Sequence, residues 1–423
     1  MKPKNVLVIG GGIAGTALAL FLRKAGIGVE IFEARSEPAS YEGLFLNLAS
    51  NGMHVLGELG LAGEVARAGH RCPWMVMWNG DGKRLGVVPN GRPGAERPGE
   101  QGFPASDGPA SVVVRRAELQ EILTREAKRL GIPVHYGRRL VEIHAGDGGR
   151  KSAGARFAAV EARFADGSSA LGDLLVGCDG IHSRVRELMD PSLPRPRYIG
   201  QLSCGGFSHA EATVPAMAPT PDMQHFVFGK RAFFGYLVRE SGDVYWFANL
   251  DRPDAPRRSE LKRIPAEEWQ RELCALFKGD LPFIASLIRA TRGKIGCYPI
   301  YEMPPLPRWH RGRIVLIGDA AHATSPSAGQ GASMALEDAL VLAKCLRDLP
   351  VDKALTAFES LRKDRAERIV RYSRARGSGK IAANALARMI RDAVMPIVLK
   401  RVAASSAHDW VYAFRETWSG RLA

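Results

Sequence analysis

The chain has 423 residues, 46% of them hydrophobic, and 59 Lys and Arg against 44 Asp and Glu give it a net charge of +15. It exceeds the roughly 250 to 300 residues at which one core stops growing, so two lobes are expected, while no apolar run suits a membrane span and the amino terminus leads directly into a strand without a secretion signal. Six cysteines without a Cys-x-x-Cys pair argue for reduced thiols, a cytoplasmic location and no metal framework, and the densest basic run, 362–380, is broken by Asp364 and Glu367, as on a solvated helix face and unlike a nucleic-acid patch.

In chain order, the run 6–9 is fully apolar, as in a buried parallel strand, and is followed by Gly10, Gly12, Ala14 and Gly15 and a helix-forming stretch, 16–24. Gly10 permits a tight turn, Gly12 lets backbone approach a diphosphate at the helix start, and Gly15 lets the helix pack on the strand. A second strand, 28–32, ends on Glu33, about 20 residues past the glycines, where a carboxylate meets the hydroxyls of an unphosphorylated ribose. Residues 74–78 and 85–88 read as a hairpin, and the Gly- and Pro-rich 89–109 as a mobile loop, either a lid or a passive linker. The segment 134–171 alternates like a small antiparallel meander, turning at 146–149 and at Asp166-Gly167. Aromatic strands are expected at 224–228, 232–238 and 243–250, with Tyr245, Phe247 and Asn249 on one face and Val244, Trp246 and Ala248 on the other.

A third apolar strand, 314–317, ends in Gly318-Asp319. A carboxylate there can accept hydrogen bonds from a sugar-alcohol chain, which FAD has and NAD lacks. Past Pro326, Gly329 and Gly331 open a helix over 332–346, whose positive end would stabilise an anionic reduced ring by roughly 0.3 to 1 kcal/mol.

With these segments, and with Cys178-Asp179-Gly180-Ile181-His182-Ser183-Arg184-Val185-Arg186 and Arg116-Ala117-Glu118-Leu119, the chain resembles the single-component FAD-dependent aromatic hydroxylases typified by para-hydroxybenzoate hydroxylase. The resemblance implies an α/β fold: a Rossmann-like FAD lobe (1–73, 112–189 and 295–361), an interleaved substrate lobe on a mainly antiparallel sheet (74–111 and 190–294), and C-terminal helices (362–423). It assigns Arg116 and Asp179 to the flavin cofactor, with His182 and Arg186 facing the nicotinamide and Pro326 beside the ring. Two departures stand out: Ala34 intervenes between Glu33 and Arg35, whose cofactor role is therefore a looser match, and Gly43-Leu44-Phe45 has Phe where the family has a second glycine.

The implied activity is a monooxygenase: NADH or NADPH reduces FAD, dioxygen forms a flavin C4a-hydroperoxide, and an aromatic or polycyclic substrate is hydroxylated. By the same resemblance Phe234, Tyr236, Tyr245 and Phe247, with Pro326, line the substrate pocket. His209, His225 and Tyr245 are candidate bases by position, none of them assigned as catalytic, and His322 supports the flavin loop. No second glycine fingerprint follows a strand, so the reductant docks transiently. The alternatives are a reductase of the same superfamily and a flavoprotein that sequesters a polycyclic ligand.

Overall fold

The first apolar run forms the strand Asn5–Ile9, and Val6, Leu7 and Val8 have no exposed surface because the strand lies inside a six-stranded sheet. Gly28–Phe32 pairs with it in parallel on one side and Leu174–Gly177 on the other. Beyond these lie Val134–His135 and Ile314–Leu316, also parallel, and His310–Arg311, which is antiparallel. The helix Ile13–Lys24 packs against Gly331–Asp348, and neither exposes its apolar face. This computed structural model describes residues 2–37, 44–91, 110–145, 160–213, 216–377 and 384–421. Gly43, most of the 89–109 loop and the 146–149 turn lie outside them.

The meander is Leu140–Ala145, Val160–Phe164 and Ser169–Gly172. Val134–His135 is not part of it: it extends the parallel sheet at its edge, where two residues carry too little pattern to reveal their partner.

A second, seven-stranded sheet runs Gly296–Glu302, Arg197–His209, Asp243–Asp251, Phe233–Val238, Met223–Phe228, Trp74–Asn79, Arg84–Pro89. It is antiparallel except where Met223–Phe228 meets Trp74–Asn79. Gly296–Glu302 was expected in the nucleotide lobe, yet it pairs with Arg197–His209 and closes this sheet. That pairing places Cys204 opposite Cys297, and their sulfurs are bonded, which corrects the expectation of six free thiols. A separation of 93 residues left the pair invisible in sequence. One face of the sheet buries Phe234, Tyr236 and Trp246 against the helices Ala266–Leu276 and Pro282–Arg289. The other faces the nucleotide lobe and is partly roofed by the helix Ala385–Ala404, whose Leu399 packs at Gly86.

The described part of the basic run, 362–377, is not simply a solvated face. The helix Val351–Gly377 turns Arg362 fully inward onto Glu337 and Asp338 of Gly331–Asp348, and Arg365 joins it on Glu337. Past the last helices the chain doubles back as a strap. Lys344, buried completely, donates to the Glu416 carboxylate and to the Thr417 carbonyl (2.8 Å), and Trp418 stacks on Phe21 with ring centroids 5.5 Å apart. Glu416→Ala would leave the buried Lys344 ammonium without its counter-charge, so the unfolding free energy should fall by about 3 kcal/mol in a urea titration. Glu416→Gln, which keeps an acceptor, should cost less.

Candidate active site

The first turn has the geometry its glycines predict. Gly10 has φ of +108°, and a side chain there would run into the Cys178 backbone. At Gly15 a Cβ would fall 2.0 Å from the Gly10 carbonyl oxygen, so helix and turn can touch only without one. Gly12 differs: an added Cβ would meet no protein atom within 4 Å, and no side chain caps the helix it begins. An open helix start bordered by empty space suits a phosphate. Glu33 braces the turn, accepting from the N–H groups of Gly11 (2.8 Å) and Arg35 (3.0 Å), and Gln120 donates to the Gly11 carbonyl from the opposite side (2.7 Å).

Two further walls meet this turn. Arg116 begins the helix Arg116–Arg129 and lines the cavity, while the adjacent Arg115 turns away to the Tyr245 hydroxyl (3.1 Å). Asp319 reaches the cavity because Gly318 takes φ of +60°, and the Gly318 N–H is held by the Asp338 carboxylate (2.9 Å). Asp338 also meets His322 Nε2 (2.6 Å) and Arg362 Nε (2.8 Å). Burial alone would raise its carboxyl, but the His322 and Arg362 charges outweigh that and hold it at about 2. His322 thus supports the loop and does not face the cavity. Beyond Pro326–Ala328, Gly329 is left-handed and lies against Asn47, and the helix Gly331–Asp348 opens uncapped toward the cavity.

The cavity encloses about 730 Å³ and is continuous from Gly12 and Ala14, past Arg116, Asp319, Pro326, Gly329 and Gly331, to Phe226, Phe228, Phe233 and Phe247. Cross-strand partners share a face, and Phe247 pairs with Gly235 and Asn249 with Phe233. Phe233 is therefore the wall residue, and the expected Phe234 and Tyr236 point to the far side. There Phe234 stacks on Trp246 (5.8 Å) and Tyr236 on His225 (4.9 Å). Tyr245 is on the correct face but is sealed from the cavity by Phe45, Phe207, Arg115 and Arg239, whose Nη1 donates to its hydroxyl (2.8 Å).

The middle segment is mostly structural. Asp179 accepts from the N–H groups of Arg184 (2.7 Å) and Val185 (3.0 Å), starting the helix Arg184–Met189, and keeps a buried Oδ1 without a partner. Arg186 is buried and spends its guanidinium on the carbonyls of Ala320 and Ile181 (both 2.8 Å), which corrects its expected nicotinamide role. His182 packs edge-on against Tyr301, outside the cavity. Of the candidate bases, His225 lies behind the sheet, where burial pushes it down to about 4, and His209 accepts from the Glu211 N–H near the strand end.

Sequence reasoning missed the C-terminal contribution. Tyr372, Arg376, Met395, Leu399, Val402, His408 and Tyr412 all line the cavity. Helical spacing in 385–404 was the available signal, but it does not say which strand a helix will cover.

FAD fits this site on three grounds. There is open space where Gly12 lacks a Cβ, two uncapped helix starts face the cavity, and Gln330 Nε2 and Thr324 Oγ1 are buried on its wall without partners.

Residues 4–373 match a family model described as the FAD binding domain. Among curated proteins the chain is 32% identical to aurachin C monooxygenase/isomerase of Stigmatella aurantiaca, covering 92% of this chain and 93% of the relative. It is 30% identical to a 3-amino-4-hydroxybenzoate 2-monooxygenase of Streptomyces platensis, covering 97% and 96%. Among solved structures, Klebsiella pneumoniae HpxO complexed with FAD and uric acid superposes with a TM-score of 0.76 at 24% identity, covering 95% of this chain and 96% of that one.

Gly12 and Gly15 can be separated experimentally. Gly12→Val should lower FAD retention on gel filtration and leave the unfolding midpoint of the FAD-free protein unchanged. Gly15→Ala should lower that midpoint, because its Cβ has nowhere to go.

Proposed function

The chain belongs to the single-component FAD-dependent aromatic hydroxylases and is a flavoprotein monooxygenase, and from that premise we propose that it hydroxylates a bulky aromatic or polycyclic molecule using NADH or NADPH and dioxygen. The observation that carries this reading is the single continuous cavity joining the open helix start at Gly12 to an aromatic wall on the second sheet. In this reading Gly10 and Gly15 shape the turn, and Gly12 and Ala14 hold the pyrophosphate. Glu33 and Arg35 serve the adenosine end, and Arg116, Asp179 and Asp319 hold the remainder of the chain leading to the ring. Pro326, Gly329 and Gly331 border the ring, and the positive helix end there favours negative charge. Bound FAD supplies acceptance of hydride from the nicotinamide and activation of dioxygen for insertion of one oxygen atom. No second dinucleotide fold is present among the described residues, so the reductant docks from outside, with His182 the remaining candidate contact.

The substrate half excludes water and orients. Met75, Met77, Phe226, Phe228, Phe233 and Phe247 make it apolar, and Asn249, with an unpartnered Oδ1, offers a buried acceptor among them. Relatives named for aurachin C and for an aminohydroxybenzoate favour an electron-rich ring.

A purified, FAD-loaded sample should consume dioxygen and oxidise NAD(P)H faster when the right aromatic is added. Under labelled dioxygen the product should gain one labelled oxygen by mass spectrometry. A saturated product without label would show a reductase, and tight binding without turnover would show sequestration.

His408 is the one imidazole on the cavity wall among the described residues, and its Nδ1 is buried without a partner. Burial first and the Arg376 charge next lower its pKa from 6.5, against an opposing pull from Asp409, so it is neutral at pH 7 and able to accept a phenolic proton. Acidification would protonate it and remove the base. The kcat profile should therefore fall on the acid side with a midpoint below 6.5. His408→Gln should lower kcat about 10²-fold and flatten that limb.

A further inference from the structure

The helix Ala385–Ala404 is apolar on both sides. Its inner side carries Met395, Leu399 and Val402 to the cavity wall. Its outer side presents Leu386, Met389, Ile390, Val394, Ile397 and Val398, between 43% (Val398) and 71% (Met389) exposed, and together these are six of the eight large hydrophobic residues exposed among the described residues. Their spacing of three, one, four, three and one residues forms one stripe along the helix. Proteins that remain alone in water seldom leave such a stripe uncovered.

Charge selects the occupant. The only acid in this helix, Asp392, faces inward and accepts from Asn79 Nδ2 (3.0 Å). At the helix's end Lys400 and Arg401 are exposed on the same face as the stripe. A second copy would bring another +15 against this one, whereas an anionic surface attracts the chain as a whole. No helix among the described residues is long and apolar enough to cross a membrane, so contact would be parallel to the surface. We propose that the outer face of Ala385–Ala404 docks on an anionic lipid bilayer, with its apolar stripe in the headgroup boundary and Lys400 and Arg401 reaching the phosphates. Val398 belongs both to the stripe and to the cavity wall, so the docked face borders the cavity. On the reading of the cavity given above, a lipophilic aromatic could then be drawn from the bilayer. The docking itself does not depend on that reading.

The test is co-sedimentation of the full FAD-loaded chain with vesicles of equimolar phosphatidylglycerol and phosphatidylcholine, and with phosphatidylcholine alone. Binding to the mixed vesicles should exceed binding to the neutral ones and drop about tenfold between low and high salt. Ile390→Asp with Ile397→Asp, both facing outward, should reduce binding about tenfold or more with FAD content unchanged. Should that pair fail to fold, Lys400→Glu with Arg401→Glu should weaken binding to the mixed vesicles selectively. Wild-type protein left in the supernatant with anionic vesicles would overturn the proposal, as would stripe variants that bind like wild type. So would a dimer by light scattering that the stripe variants convert to monomer. None of these readouts requires turnover, so failure here leaves the hydroxylase reading standing.

Discussion

The site depends on two adjacent carboxylates, Glu337 and Asp338, that lie without exposed surface in the middle of the helix Gly331–Asp348. Burying two charges side by side is affordable only where matching charges and hydrogen bonds replace the lost water. Arg362 supplies both, at 2.6 Å from Glu337 and 2.8 Å from Asp338, and Arg365 and His322 complete the set. The network is also a jig. Asp338 fixes the Gly318 turn and with it Asp319, while Glu337 holds Asn51 (2.6 Å), which in turn holds Gln330 (2.9 Å) at the start of the cavity helix. Since the Asp338 carboxyl lies at about 2 against an ordinary 3.8, its stabilising effect is complete above the higher value and fades as pH falls toward the lower.

That network explains how the positive charge of the chain is divided. Arg362, Arg365 and Lys344 serve the interior, and among the described residues Arg116 and Arg376 are the two cations on the cavity wall. Backbone does the electrostatic work instead. The helices starting at Ile13 and Gly331 both direct uncapped ends into the same space, one near the first turn and one near Pro326. Fixed dipoles of this kind favour an anion at each end of an extended ligand without titrating or swinging away.

The nucleotide half was legible in sequence because each of its devices is local. Gly10, Gly12 and Gly15 act within one turn, and Gly318, Gly329 and Gly331 act at the ends of the short elements between 318 and 331. Gly10, Gly15, Gly318 and Gly329 follow from backbone sterics, through positive φ or close contact, while Gly12 follows from the open space beside it. Arg116 and Arg115 diverge because the first residue of a helix and its predecessor point in different directions, so that Arg116 lines the cavity and Arg115 meets Tyr245. The substrate half was less legible because it is made by pairing. Phe233 and Phe234 are equivalent on a strand until one knows that Gly235 lies opposite Phe247. The same holds for Arg186, whose Ala320 partner is 134 residues away, and for the Cys204–Cys297 bond.

The separation between the halves bears on how such a chain acquires its preference for one substrate. The cofactor half is fixed by glycines such as Gly10 and Gly15, where a side chain would run into backbone, and by a buried ionic network in which an unpaired charge is costly. The apolar end of the cavity has three sources: the sheet face with Phe226, Phe233 and Phe247, the hairpin with Met75 and Met77, and the C-terminal elements with Met395, Leu399 and His408. Most of those side chains are apolar, and volume-conserving exchanges among them cost little stability. The C-terminal elements reach the cavity from outside both sheets, so they can change its shape without disturbing a strand register. On the function proposed above, substrate choice can therefore drift on the second half while the first keeps the cofactor in place.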